Sequence, residues 1–287
     1  MAGSEPLGLW REPDRLVVAY AIGTSVPLSL GAIAGAQGCA LQVLLNVLVV
    51  GGVACLCWAS QRTTNKALRF LRLMHAPLLF LFFYRQTATI WPVLYQGSFD
   101  APIAAIDQAI FGFQPSLSLA PAVPSAVAGE IFSFAYFAYY CFTPVLLLTV
   151  LFTRGYEQAE RIIVLTARCF FACYAIFWIF PVVGPFYWFS PGTGPALAPG
   201  LFFNQILYFF TGNVEVPTGA FPSSHLAVAV VQTFCARQFA PRLFPAMLTI
   251  TLLMVPAVLY LRAHYAVDVV AGVLVGLLFL VSTIHRR

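Results

Sequence analysis

Apolar residues run through this chain in long blocks, separated by short polar, charged or Gly/Pro-rich stretches. A helix needs about 20 apolar residues to cross a bilayer. Eight segments meet or approach that length: 16–36, 39–58, 70–95, 129–152, 161–182, 223–238, 243–261 and 265–284. The third is the least regular, because it carries Arg72, His75 and Arg85 and breaks near Trp91-Pro92. The pattern predicts an all-α, polytopic membrane helix bundle of about eight spans, with six or seven as alternatives. Residues 1–15 read as a short cytoplasmic segment rather than a cleaved signal, and 16–285 as one transmembrane domain.

Composition agrees. Of 287 residues, 61% are hydrophobic and 9% charged, whereas soluble domains carry roughly 25% charged residues. The net charge of +5 is therefore a topology signal and not a mark of nucleic-acid binding. With the N-terminus in the cytoplasm and eight spans, cytoplasmic segments hold Arg11, Arg15, Arg62, Lys66, Arg69, Arg72, Arg154, Arg161, Arg168, Arg237, Arg242, Arg286 and Arg287. This satisfies the positive-inside rule and leaves both termini cytoplasmic. Only Arg85 and Arg262 are left for the outer side, so each needs another reason. The cluster at 62–72 reads as a topogenic signal that also meets anionic lipid heads, His75 as an interfacial histidine and His285 as part of a basic tail. The seven cysteines sit in or beside apolar runs and read as small buried hydrophobes.

Two long connections, 96–128 and 183–222, fall on the outer side. The second contains LFFNQILYFF (201–210). That stretch is too short to span and too apolar for a free loop. It reads either as a helix lying in the interface or as a cap packed over the bundle.

Candidate chemistry concentrates at the same end. GAFPSSH (219–225) opens the sixth span. Pro222 suits a first helical turn, a serine can cap it, and a helix start attracts anions. Ser223, Ser224 and His225 thus sit where a phosphate would bind. YLRAHYAVD (260–268) joins spans seven and eight. If the last helix begins near His264, then His264 and Asp268 are i, i+4 neighbours on one face, and the carboxylate fixes the imidazole tautomer. That leaves the other ring nitrogen to attack or to move a proton. Arg85 and Arg262 could grip phosphate oxygens with paired donors. For each motif a bland alternative exists, an N-capped helix and a structural His–Asp pair; their convergence on one face favours a phosphate site.

FPSSH followed by YLRAHYAVDVVAG resembles the type 2 phosphatidic acid phosphatase superfamily. More narrowly it is similar to the inositol phosphorylceramide synthase branch, an inositolphosphotransferase type. IDQAIFGFQP (106–115) and PVVGPFYW (181–188) also look like that branch. The resemblance covers about 80–280, the expected catalytic core. It implies that His264 is a nucleophile forming a phosphohistidine, that Asp268 orients it, and that His225 protonates the leaving group and then activates the acceptor. It further implies phosphate binding by Ser223 and nearby backbone N–H groups, with no metal and no cofactor. The phosphatases' K-x-x-x-x-x-x-R-P motif is replaced here by RQTATIWP (85–92), in which Arg85 could stand for the lysine. Their arginine six residues before the nucleophile is Val258 here, with Arg262 nearer, and Ser224 takes the place of a glycine.

The expected activity is transfer of a phosphoryl or phospho-headgroup from a membrane lipid phosphate or phosphodiester. The acceptor is water or an alcohol (a polyol or a sphingoid), and the site lies at the extracytoplasmic or lumenal face of a membrane, the cell inner membrane first. A non-catalytic lipid transporter or scramblase, or a scaffold on the same fold, is the alternative. A transport path predicts polar residues through mid-bundle, where the spans read as almost wholly apolar. Asp107 is assigned to holding the loop or meeting an acceptor hydroxyl, and Asn213 and Glu215 to facing the acceptor.

Overall fold

A computed structural model describes residues 9–63, 65–189, 201–214 and 216–284. Glu215, His285, Arg286, Arg287 and the side chain of Asn213 lie outside the described residues, as does 190–200 of the Gly/Pro-rich connection. The fold is all-helical. Its helices are α1 (Glu12–Ile33), α2 (Cys39–Gln61), α3 (Lys66–Leu94), α4 (Asp100–Phe111), α5 (Pro115–Ala122), α6 (Ala126–Tyr140), α7 (Phe142–Arg154), α8 (Tyr156–Ile179), α9 (Pro185–Phe189), α10 (Phe202–Val214), α11 (Ser224–Phe239), α12 (Phe244–Tyr260) and α13 (Ala266–Ile284).

Helices α1, α2, α3 and α8 are each long and apolar enough to cross a membrane; α6 and α7, bent by 46°, add a fifth crossing if they form one broken span. Helices α12 and α13 are apolar but shorter. All eight apolar segments of the sequence fall on these helices or on α11. The α6–α7 break has a local cause. Pro144 has no N–H to give the Tyr140 carbonyl, and its ring crowds that carbonyl, so the ladder fails at Cys141.

α8 is the hub, packing on α1, α3, α7 and α11. Its aromatic face stacks Phe171 on Tyr20 of α1 at 4.3 Å between ring centroids. α2 lies at the edge and shows Leu41, Leu44 and Val47 outward, as a lipid-facing helix does.

α11 and α13 approach each other backbone to backbone. A Cβ on Gly272 would lie 2.4 Å from the Ser223 carbonyl oxygen, and one on Gly276 would lie 2.7 Å from the Ala227 oxygen. Gly272 and Gly276 form a G-x-x-x-G stripe, the small-residue pattern that lets membrane helices touch backbone to backbone.

Polar groups inside the bundle close on one another, and this corrects the reading of mid-span positions as almost wholly apolar. Asn46 of α2 donates to the Ala21 carbonyl (3.1 Å) and to Thr24 Oγ1 (2.8 Å), and Gln86 of α3 donates to Asn46 Oδ1 (2.9 Å). Such bonds hold helices together where no water competes. At the other end from the two histidine motifs, Arg72 is 1% exposed and pairs with Asp14 at 2.6 Å. It also donates to Ser60 Oγ (2.7 Å) and to the Leu9 carbonyl (2.9 Å). The buried His75 ring meets the Arg72 carbonyl at 2.6 Å. Arg72 is therefore taken up by protein rather than by lipid heads, and His75 is internal rather than interfacial. Both were placed at the surface because a charge in an apolar run gives no sign of a partner 58 residues away. Arg11–Glu160 and Arg168–Glu12 add ion pairs between α8 and the start of α1.

LFFNQILYFF lies mostly on α10, which packs along α6. Glu130 accepts the N–H groups of Leu201, Phe203 and Asn204 at its start, and Asn204 donates to Ser133 Oγ (3.2 Å). Phe202 and Phe209 stay exposed, so the helix is attached to the bundle while keeping an apolar outer face.

The α11–α13 contact yields a paired test. Gly272→Ala is expected to lower the thermal unfolding temperature in detergent clearly, because the new methyl meets backbone. Gly51→Ala on α2, where nothing lies within 4 Å, should be neutral or stabilising by up to about 1 kcal/mol.

Candidate active site

The two motifs meet at one end of the bundle. α12 stops in a Schellman turn: Ala263 N–H donates to the Val258 carbonyl (2.9 Å) and Arg262 N–H to the Leu259 carbonyl (3.0 Å). Arg262 takes the left-handed position with φ 57, where glycine is the usual occupant. The turn delivers His264 just before α13, which begins at Ala266 rather than at the histidine.

The start of α13 is held by carboxylates. Asp268 Oδ2, on the third residue of the helix, accepts the Tyr265 N–H (2.8 Å), the side-chain half of a capping box. Asp107 of α4 accepts the next two, Ala266 (2.7 Å) and Val267 (3.0 Å). Seven residues earlier, Asp100 accepts Val183 N–H (2.9 Å), Gly184 N–H (2.9 Å) and the Tyr265 hydroxyl (3.0 Å). Gly184 (φ 93) is required there, since a Cβ would lie 3.0 Å from the Ala263 carbonyl oxygen. Burial pushes the Asp107 carboxyl above its ordinary range while the two N–H donors pull it back. Burial, with Asp100 beside it, raises the Tyr265 hydroxyl. Asp107 thus holds the loop and the helix start, the first of its two assignments.

Proton positions follow from one carbonyl. His264 Nδ1 lies 2.9 Å from the Ala220 oxygen, which can only accept, so Nδ1 carries the proton. Asp268 Oδ2 is farther, at 3.6 Å. Nε2 of His264 is then bare and faces Nδ1 of His225 at 3.4 Å. His225 donates from Nδ1 and accepts at Nε2, where the Tyr136 and Tyr140 hydroxyls approach at 3.3 and 3.4 Å. The tautomer of His264 is therefore held first by Ala220, in the GAFPSSH motif, and only second by Asp268. The i, i+4 spacing pointed to the carboxylate, but His264 lies outside the helix, which turns its ring toward the neighbouring motif.

His264, His225 and Asp268 are brought together, and His264 is 3% exposed. Ser223 is close: its N–H is spent on the Asp268 carbonyl (3.0 Å), and its Oγ accepts Leu226 N–H (3.4 Å) while keeping its own proton to donate. The N–H groups of Ser224 and His225, the first two of α11, find no acceptor among the described residues. They are the open anion donors at this helix start. Arg262 and Arg85 do not line either of the two cavities that reach His225; Arg85 is exposed on α3 and Arg262 is half-buried. Among the described residues no group of three or more His, Cys, Asp or Glu is placed to hold a metal ion.

The family model of the PAP2 superfamily matches residues 101–282. The chain belongs to the PAP2 superfamily. No curated protein and no solved structure matched it. PAP2 proteins are typically phosphatases or phosphotransferases acting on lipid phosphates, which makes this membrane protein an enzyme of that general type. The matched range contains both histidine motifs and all of α4 but its first residue, Asp100, and begins after α3. Tyr84 of α3 nevertheless lines the small cavity at the two histidines, together with Tyr136, Tyr187 and Thr218. The buried Thr218 Oγ1 has no hydrogen-bond partner there. In this PAP2 chain the tyrosines and Thr218 were not singled out from sequence, since an aromatic run such as AYFAYY reads as core.

Asp107→Ala should orphan two buried N–H groups, at about 1–3 kcal/mol each, and lower both unfolding temperature and turnover. Asp107→Asn keeps one acceptor oxygen but turns an NH2 toward the other N–H, so it should fall between Asp107→Ala and the wild type on both. Thermal unfolding and turnover on one lipid phosphate check this.

Proposed function

We propose that this enzyme moves a phosphoryl or phospho-headgroup from a membrane lipid in two steps through His264. The observation that carries the reading is the directed chain Ala220–His264–His225, which leaves Nε2 of His264 as a bare nucleophile beside a proton donor. In the first step Nε2 attacks phosphorus and the phosphorus–oxygen bond to the leaving group breaks. His225, protonated on both ring nitrogens beside the anionic phosphate, gives its Nδ1 proton to that oxygen and is left neutral. The Tyr136 and Tyr140 hydroxyls can donate to Nε2 of neutral His225 or accept from its cation, so they suit both protonation states. Once Nε2 carries phosphorus, the ring is cationic, and Asp268 at 3.6 Å stabilises it. In the second step His225 takes the acceptor's proton, the acceptor oxygen bonds phosphorus, and the nitrogen–phosphorus bond breaks. The free N–H groups of Ser224 and His225 support phosphate oxygens throughout.

We carry an alcohol acceptor, as in the inositol phosphorylceramide synthase branch, on the motif resemblance. The two further stretches that resemble that branch supply Asp107 and the 183–184 loop, both fastened to the nucleophile's surroundings. We place the site at the extracytoplasmic or lumenal face of an eight-span protein with both termini cytoplasmic, in the cell inner membrane first, on the positive-inside bias. The catalytic core spans about 80–280.

Wild-type protein given a lipid radiolabelled in its phosphate should acquire acid-labile, base-stable label, and His264→Ala should not. A turnover-competent His264→Ala would overturn the mechanism. Reversing a catalytic tautomer by Asp→Asn costs about 10⁴-fold. Asp268→Asn should cost clearly less, because Ala220 still holds the tautomer.

Arg262 gives a second test. Arg262→Gly relieves a left-handed arginine and should raise the unfolding temperature slightly. If the guanidinium serves phosphate, KM for the lipid rises several-fold in the same variant; an unchanged KM removes Arg262 from the site.

A further inference from the structure

α3 and α7 both pack on α8 and make no substantial contact with each other. The gap between α3 and α6–α7 is a groove of about 350 Å³ that ends at Ser224 and His225. Its floor includes Phe170 and Tyr174 of α8. We propose that this groove seats one hydrocarbon chain of the donor lipid, and that the Thr143 hydroxyl donates to an oxygen acceptor where that chain joins the head. The proposal rests on the reading of the histidine pair as a lipid-phosphate site and names the kind of lipid it takes.

Three observations identify the occupant. The groove runs along α3 from Met74 to Tyr84, ten residues or about 15 Å. That is half of a hydrocarbon core about 30 Å thick, the depth of one leaflet. Its volume is at the lower end of the ~300–1,000 Å³ range of small-ligand pockets, room for one chain rather than two. Leu78 and Leu81 line it yet are 64% and 46% exposed, so the wall is open sideways and a chain enters without leaving lipid.

Thr143 breaks the apolar lining in the middle of this path. Gln232 of α11, 0% exposed, donates from Nε2 to Thr143 Oγ1 (2.7 Å) and Thr166 Oγ1 (3.3 Å). Thr143 therefore accepts from Gln232 and keeps its own proton, for which no acceptor stands among the described residues. A hydroxyl left so in apolar surroundings is costly unless a ligand completes it. Thr143 lies three residues past Tyr140, across the α6–α7 bend, and the Tyr140 hydroxyl is 3.4 Å from His225. An acceptor at Thr143 thus sits a short way along the groove from the reacting phosphate. Glycerol- and sphingoid-based lipids carry an ester or amide carbonyl, or a hydroxyl, at that remove. A prenyl phosphate carries none.

The test measures binding and needs no turnover. His264→Ala protein in nanodiscs is photolabelled with a diacyl phosphatidic acid bearing a mid-chain diazirine. Label is expected on peptides containing Leu78–Leu81 or Pro144, and it should be lost in the further variant Leu78→Trp/Leu81→Trp, whose side chains fill the groove from exposed positions. Label spread over the outer face of α2 with none in the groove overturns the seat. Displacement by unlabelled diacyl phosphatidic acid and by a prenyl monophosphate of similar length is then compared with and without Thr143→Val. The valine should weaken the diacyl lipid about three- to tenfold, the size of one hydrogen bond, and leave the prenyl lipid unchanged. Equal effects on both overturn the role of Thr143. Groove labelling alongside a wild-type protein that never forms a phosphohistidine would sink the catalytic reading and leave the seat standing.

Discussion

The site depends on how closely α11 and α13 approach. With no side chain at Gly272, the Ser223 carbonyl sits against the α13 backbone, and Ser223 N–H reaches the Asp268 carbonyl at 3.0 Å. Two motifs some forty residues apart are thereby locked backbone to backbone. At that separation the Ala220 oxygen accepts the His264 Nδ1–H while the His264 ring still faces His225. In a membrane, where apolar burial gives helices little reason to choose one neighbour over another, close packing and buried hydrogen bonds supply that choice.

The outer elements serve the same end. α4 is amphipathic in an unusual sense, because its buried positions include Asp100 and Asp107. Each carboxylate is satisfied by backbone N–H groups or a hydroxyl, which makes its burial tolerable. Asp107 occupies the positive end of α13, and so the open anion site is left at α11, whose first two N–H groups are uncommitted. One helix start is used for structure and the other is available for phosphate.

The membrane enters through the broken helix and the short one. α11 has 16 residues, about 24 Å, less than the ~30 Å of a hydrocarbon core. Pro144 breaks α6 from α7 beside the Tyr140 and Thr143 positions, and the resulting gap toward α3 connects His225 with the lipid side. A head group is met at the helix start and a chain along the groove, without either having to cross the bundle.

Some of this was legible in the residues alone. Apolar runs of a given length become helices wherever they pack, so the eight segments, the all-helical class and the family signal of FPSSH with H-Y-x-x-D could be read directly. His225, His264 and Asp268 stood out as candidates because their motifs are local. What tertiary structure decided was the partner of each polar group. A carbonyl such as Ala220 has no residue identity to betray it, and Tyr136 and Tyr140 look like core until a histidine lies beside them. Arg72 looked like a lipid contact until Asp14 was packed against it. The Ser223 N–H looked open to phosphate until the α11–α13 contact consumed it, which leaves the Ser223 hydroxyl as the group that could donate. Hydrogen-bond partners across helices depend on distances that no spacing along one chain encodes, and the chemistry of this site is written in those distances.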